Sequence, residues 1–116
     1  MPAVPVVPIS QHRSWGDLVF SAGQIGAEAD GSIPAGFERQ AELAFDSLEA
    51  TLADAGSSLA GVLKATVFIA DRADFAAMNE IYAARFAAPF PARTTIVTAL
   101  VLPELRFEIE VVAARA

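Results

Sequence analysis

Leu105-Arg106-Phe107-Glu108-Ile109-Glu110-Val111-Val112 alternates apolar and polar side chains along most of its length. Successive residues of a strand point to opposite sides, so Leu105, Phe107, Ile109 and Val111 share one face and Arg106, Glu108, Glu110 and Val112 the other. The pattern predicts a strand from Leu105 to Ala114, one face in a core and one carrying charge. A strand over Thr94 to Val101 precedes it across a turn at Pro103-Glu104. Working back, Val62 to Ile69 also alternates, with Leu63, Ala65, Val67 and Ile69 on one side. Between these strands, Phe75, Met78, Tyr82 and Phe86 form the stripe of a helix that Asp71 or Asp74 can cap and Pro89 ends. A longer helix is written by Phe37, Ala41, Ala44, Leu48, Leu52 and Ala55, spaced by three and four, with Gly56 as its stop. Gly26 to Gly36 is a loop, Leu18 to Ala22 a short buried strand after a Gly16-Asp17 turn, and Val4 to Ile9, cut by Pro5 and Pro8, at most an edge strand.

The order of elements predicts an α+β domain, its helices on one face of a sheet. At 116 residues and 12.2 kDa the chain is expected to be one domain over 1–116. Hydrophobic residues make up 54 % and charged ones 19 %, which leaves more apolar surface than so small a domain can hide. Burial of the second sheet face against neighbouring copies accommodates the excess, so a homo-oligomer is expected.

Charge and composition narrow the chemistry. The net charge of −6, with Lys64 the only lysine and the arginines scattered, makes nucleic acid a poor partner. With no cysteine, disulfides, thiol catalysis and sulfur-ligated metals are ruled out. His12 is the only histidine, too little for a conventional zinc site or a Ser-His-Asp triad, and it reads as a surface turn residue without a role. No apolar run reaches the ~20 residues of a membrane helix, and the proline-broken N-terminus is unlike a signal peptide. The expected protein is soluble and cytoplasmic, and needs neither metal nor cofactor.

Four positions draw attention. Glu108 lies mid-strand among apolar residues; it is either a solvated carboxylate, paired with Arg106 or alone, or a general base in a crevice. Glu110 has the same claim from pattern alone. Arg93, in Phe90-Pro91-Ala92-Arg93-Thr94-Thr95, is either a solvated strand start or a guanidinium fork aimed at a carboxylate. Pro91 stiffens the approach to it. Gly23, in Ala22-Gly23-Gln24, either ends a strand or lets a ligand approach the backbone.

These residues also carry a resemblance. Gly16-Asp17-Leu18-Val19-Phe20-Ser21-Ala22-Gly23-Gln24, Leu48-Glu49-Ala50, Val62 to Asp71, Phe75 to Tyr82, Phe90-Pro91-Ala92-Arg93-Thr94 and Phe107-Glu108-Ile109-Glu110-Val111 stand in the order found in the reactive intermediate deaminases, the Rid or YjgF-type proteins. The chain resembles that family along almost its whole length. The resemblance implies a chorismate-mutase-like α+β fold, with two helices on one face of a mixed sheet, and a homotrimer with sites between subunits. It also implies hydrolysis of 2-imino (enamine) acids, such as 2-iminopropanoate or 2-iminobutanoate, to 2-keto acids and ammonia. By this likeness Arg93 binds the substrate carboxylate, Glu108 rather than Glu110 handles water, and Gly23, the backbone at Thr95, and Asn79 lie beside the ligand. The chain departs from the pattern in three places, one of them a short segment before Phe90-Pro91. Ile9-Ser10-Gln11 stands where many members have a tyrosine, and Thr95 where many have cysteine or serine. Loss of the tyrosine removes an aromatic wall and a hydroxyl donor, which bears on substrate range. Alternative readings are a deaminase dedicated to one pathway's imine, a non-catalytic module that binds small carboxylates, and a ribonuclease, the last opposed by the acidic charge.

Overall fold

Gly16 adopts φ 57°, a left-handed conformation that glycine takes without steric cost, and so closes a hairpin between β1 (His12–Trp15) and β2 (Leu18–Ser21). The computed structural model describes residues 7–116. After the hairpin come α1 (Phe37–Asp54), β3 (Val62–Ile69), α2 (Phe75–Arg85), β4 (Ala92–Val97) and β5 (Phe107–Ala114), with short 3-10 turns at Leu59–Gly61 and Arg72–Asp74. The strands form one mixed sheet in the order β1-β2-β5-β3-β4. All neighbours are antiparallel except β3 and β4, which run parallel. The fold is α+β, with both helices on one face of the sheet.

The core lies between that face and the helices. The predicted stripe of α1 is buried, with Phe37, Ala41, Ala44, Leu48 and Leu52 all 2 % exposed or less. Phe45 joins them, its ring tilted against Phe107 of β5 at 5.8 Å and edge-to-face with Phe86 beyond α2 at 5.6 Å. Full burial of each such side chain contributes about 1.5–3 kcal/mol relative to an exposed position. Gly56, at φ 82°, stops α1 as expected. Arg85 ties the end of α2 to α1 through Glu42, Asp46 and Glu49 at 2.8–2.9 Å. Buried Gln40 donates to the carbonyls of Pro34 and Glu104 and accepts from the Arg106 amide, fastening the β4–β5 connection to α1.

Several expectations are corrected. His12 opens β1, a strand absent from the sequence reading, and meets Asp54 at 2.9 Å instead of lying in a turn. Of the edge strand expected over Val4 to Ile9, residues 4–6 fall outside the described part and residues 7–9 are irregular. Leu63 is 54 % exposed because the β3–β5 register shifts between Val62 and Lys64, which turns Val62 inward in its place. The strand expected over Thr94 to Val101 spans Ala92–Val97 and takes the sheet edge, with β3 between it and β5. Asp71 caps the 3-10 turn through the Ala73 amide, whereas Asp74 turns its carboxylate to Arg106. Phe75 is 45 % exposed, outside the core that Met78, Tyr82 and Phe86 enter.

The other sheet face carries no helix. By register it displays Trp15, Phe20, Phe68, Ile96 and Val112 beside Lys64, Thr66, Glu108 and Glu110. Trp15 is 81 % and Phe20 43 % exposed on it. An apolar sheet face of that kind is the usual mark of a surface covered by a partner. No helix among the described residues is long and apolar enough to cross a membrane.

Candidate functional site

Gly23 and Glu108 come together for a traceable reason. Gln24 forms an isolated bridge with Ile109, its amide donating to the Ile109 carbonyl at 2.7 Å and its carbonyl accepting from the Ile109 amide at 3.1 Å. Its side chain is buried on the helix side, where Oε1 accepts from Ser47 Oγ at 2.6 Å and Nε2 donates to the Ala22 carbonyl at 3.0 Å. With Gln24 committed to the helix side, alternation turns Gly23 to the free face, against Glu108. A methyl group built on Gly23 falls on the Glu108 carboxylate, so only glycine leaves the acid its place. Gln24 was not singled out from the sequence; the Ala-Gly-Gln motif drew notice for its glycine, yet the glutamine holds the segment down.

Glu108 and Glu110, equivalent by pattern, differ in surroundings. Glu110 is exposed and Glu108 half-buried, and among the described residues no hydrogen bond or ion pair satisfies the Glu108 carboxylate. The expected alternative partner, Arg106, is engaged by both oxygens of Asp74 at 2.9 Å. Burial, and secondarily the charge of Glu110, push the Glu108 carboxyl above the ordinary glutamate value. A carboxyl raised by burial and without a committed partner is free to exchange a proton with water or a ligand.

Arg93 stands on the other side of the sheet. It pairs in register with Ala65, a core residue, and its guanidinium reaches α2: the carbon centre lies 4.7 Å from the Tyr82 ring, and Nη1 lies 3.7 Å from Met78 Sδ. Thr95, two residues on and half-buried, shares that side. Asn79 falls on the same stripe of α2 as Phe75 and Tyr82, whose rings flank Arg93. The predicted residues thus fall into two groups, Gly23 with Glu108 on the free face and Arg93, Thr95 and Asn79 on the helix face. Within one chain the sheet separates them.

Two surface grooves, of about 290 and 420 Å³, are lined around Leu63 and Phe90 and around Ser58 and Arg85, and neither includes a predicted site residue. Among the described residues no group of three or more His, Cys, Asp or Glu side chains could hold a metal ion. Gly23→Ala is expected to displace the Glu108 carboxylate into solvent. Because the displaced atoms end a flexible side chain, stability should fall little, and thermal melting of the variant beside the parent reads it.

Known proteins resemble this chain in sequence and in fold. A family model described as Endoribonuclease L-PSP matches residues 2–115. A protein of Escherichia coli K12 named as a reactive intermediate deaminase, TdcF, is 36 % identical over 113 residues, covering 94 % of this chain and 88 % of its own. The 2-iminobutanoate/2-iminopropanoate deaminase of the same organism is 34 % identical over 112 residues, covering 93 % and 88 %. Among solved structures, RidA from the Antarctic bacterium Psychrobacter sp. PAMC 21119 superposes with a TM-score of 0.89 at 33 % identity, covering 96 % of this chain and 91 % of that one.

Proposed function

The chain belongs to the Endoribonuclease L-PSP family, which includes the reactive intermediate deaminases, and on that premise we propose that it hydrolyses 2-imino acids to 2-keto acids and ammonia. The observation that carries the reading is Glu108, a half-buried carboxyl packed on Gly23 with a raised pKa and no partner among the described residues. It supports a group that takes a proton from water and gives one back.

The substrates we propose are 2-iminopropanoate and 2-iminobutanoate. The guanidinium of Arg93 grips their carboxylate through two parallel hydrogen bonds. Glu108 removes a proton from the water that attacks the iminium carbon, giving a tetrahedral carbinolamine. The same carboxyl then passes its proton to the amine nitrogen; the C–N bond breaks as the C=O bond forms, and the hydroxyl proton goes to Glu108 and from it to the departing ammonia. Iminium and water become ketone and ammonium, with no electron gained or lost. Backbone groups near Gly23 and Thr95 orient the imine and bear developing charge, and Asn79 lies beside it. No cofactor enters this scheme, since a protonated imine is already electrophilic.

Arg93 and Glu108 lie on opposite faces of the sheet, so the site we propose is formed at a junction between copies in a homotrimer. Arg93, Thr95 and Asn79 of one protomer face Gly23 and Glu108 of the next. The uncovered apolar face with Trp15 and Phe20 supports such an assembly. Ribonuclease chemistry, which the family description names, fits poorly with a net charge of −6.

The test is to generate 2-iminopropanoate with an amino-acid oxidase and follow pyruvate release. The expected result is release faster than in buffer, in proportion to added protein. A rate equal to that in buffer would remove the assignment.

A further inference from the structure

Among the described residues Arg93 lacks the carboxylate partner that Arg85, Arg106 and Arg39 have, and also the backbone carbonyls that hold Arg115. Aromatic rings also lie under Arg85 and Arg106, but only as additions to their ion pairs. Arg85 is held by three carboxylates, Arg106 by both oxygens of Asp74, and Arg39 by Glu28. The chain has 14 acidic residues, yet none of the described ones bonds to Arg93. Instead its guanidinium carbon lies 4.7 Å from the Tyr82 ring centroid and 5.9 Å from that of Phe75, with Met78 Sδ beside Nη1. The three side chains come from one face of α2, at i, i+3 and i+7. Tyr82 is itself held, its ring 4.6 Å from Phe86 and 6.3 Å from Phe45, so one wall of this seat belongs to the core.

A carboxylate neighbour would fix the guanidinium and cancel its charge. An aromatic face attracts the cation through its quadrupole and restricts its motion, but occupies no N–H donor and neutralises nothing. We propose that Phe75 and Tyr82 form an aromatic clamp that aims the Arg93 guanidinium in advance and leaves its charge, and the N–H donors not turned to Met78 Sδ, free for an incoming carboxylate. The role of the anion site rests on the function proposed above; the clamp rests on the geometry alone. Both are positioning residues, acting on a ligand through Arg93. The Tyr82 hydroxyl takes no part, since it is buried without a hydrogen-bond partner among the described residues. The ring is what matters.

The experiment combines two readouts on the full-length protein. The Arg93 Nε–Hε resonance, identified by its loss in Arg93→Lys, reports the seat directly through ring-current shift and slow guanidinium rotation. Calorimetry with pyruvate reports carboxylate affinity. In the parent chain the resonance should be ring-shifted; in Phe75→Leu and Tyr82→Leu it should move toward that of free arginine, and pyruvate should bind about fivefold to tenfold more weakly. Tyr82→Phe keeps the ring and should keep both values. Because Tyr82 is a core residue, the half-exposed Phe75 supplies the variant whose fold is not at stake. Phe75→Leu and Tyr82→Leu indistinguishable from the parent in resonance and affinity, or an unshifted parent resonance, would overturn the clamp. A ring-shifted parent resonance in a protein that takes no pyruvate would remove the deaminase reading and leave the clamp standing.

Discussion

Arg93→Ala is expected to lower kcat/KM for a 2-imino acid by about a hundredfold to a thousandfold, mostly through KM. Truncating one partner of a desolvated, hydrogen-bonded charge pair costs about 2–5 kcal/mol, and each 1.36 kcal/mol is a factor of ten. Stability should hardly change, because Arg93 holds no ion pair among the described residues and loses only its stacking on Tyr82 and Phe75. That combination separates an anion site from a structural arginine. Arg85, bound by three carboxylates, would show the reverse, with lost stability foremost. Arg93→Lys restores the charge but not the planar fork, so it should recover only part of the affinity. An Arg93→Ala protein with the parent's KM would sink the proposed role.

The second large effect concerns Glu108. Glu108→Gln removes the proton carrier while keeping the side chain's shape, and kcat should fall by about 10²- to 10⁴-fold with little change in KM. The pH dependence has a definite sign. Burial raises the Glu108 carboxyl, so the proton stays on to a higher pH than in an ordinary glutamate and the base form appears late. Activity of the parent chain should therefore rise with pH along a limb whose midpoint lies above the usual glutamate value. Removing the nearby charge in Glu110→Gln should move that midpoint down and otherwise spare kcat. Stability follows the opposite course. The folded chain binds this proton more tightly than the unfolded one, so the contribution is full below the unfolded value and is lost as pH rises through the folded one. Glu108→Gln abolishes that loss, and its melting temperature relative to the parent should climb between acid and neutral pH. A flat difference across that range would show that the carboxyl is not desolvated. Refolding the Arg93→Ala and Glu108→Gln chains together should restore turnover that neither shows alone, since some junctions then receive an intact residue from each.

Periodicity carried most of the fold. The α1 stripe from Phe37 to Leu52 and the alternation of Phe107 to Val111 are legible because a core selects apolar residues at the helical and strand periods wherever one face is covered. Where burial is one-sided or absent, the signal fades. His12-Arg13-Ser14-Trp15 forms β1 at a sheet edge, mostly exposed, and so shows no pattern; the Gly16-Asp17 turn was its one trace. Pairing is a further step from periodicity. Nothing in Thr94 to Val97 announces that its partner is β3, run parallel, rather than the strand that follows it. Leu63 was misplaced because a register shift leaves no mark in composition.

The candidate site divides along the same line. Arg93 and Glu108 could be chosen by residue type and by likeness to the family. Glu108 could not be told from Glu110 by physics until Gln24, clamped between Ile109 and Ser47, fixed Gly23 against one carboxylate and not the other. Those contacts join distant parts of the chain. Tyr82 was read as a core aromatic, which it is; its second contact, with Arg93, depends on which edge β4 occupies.

A β-sheet is a single layer of backbone, and no rotamer change carries a side chain through it. A solitary copy of this chain, however perfectly folded, would hold Arg93 and Glu108 back to back, mutually invisible. If the two work together, selection on either residue is felt only through the copy next door, and diluting the protein until its copies part would silence it without unfolding it.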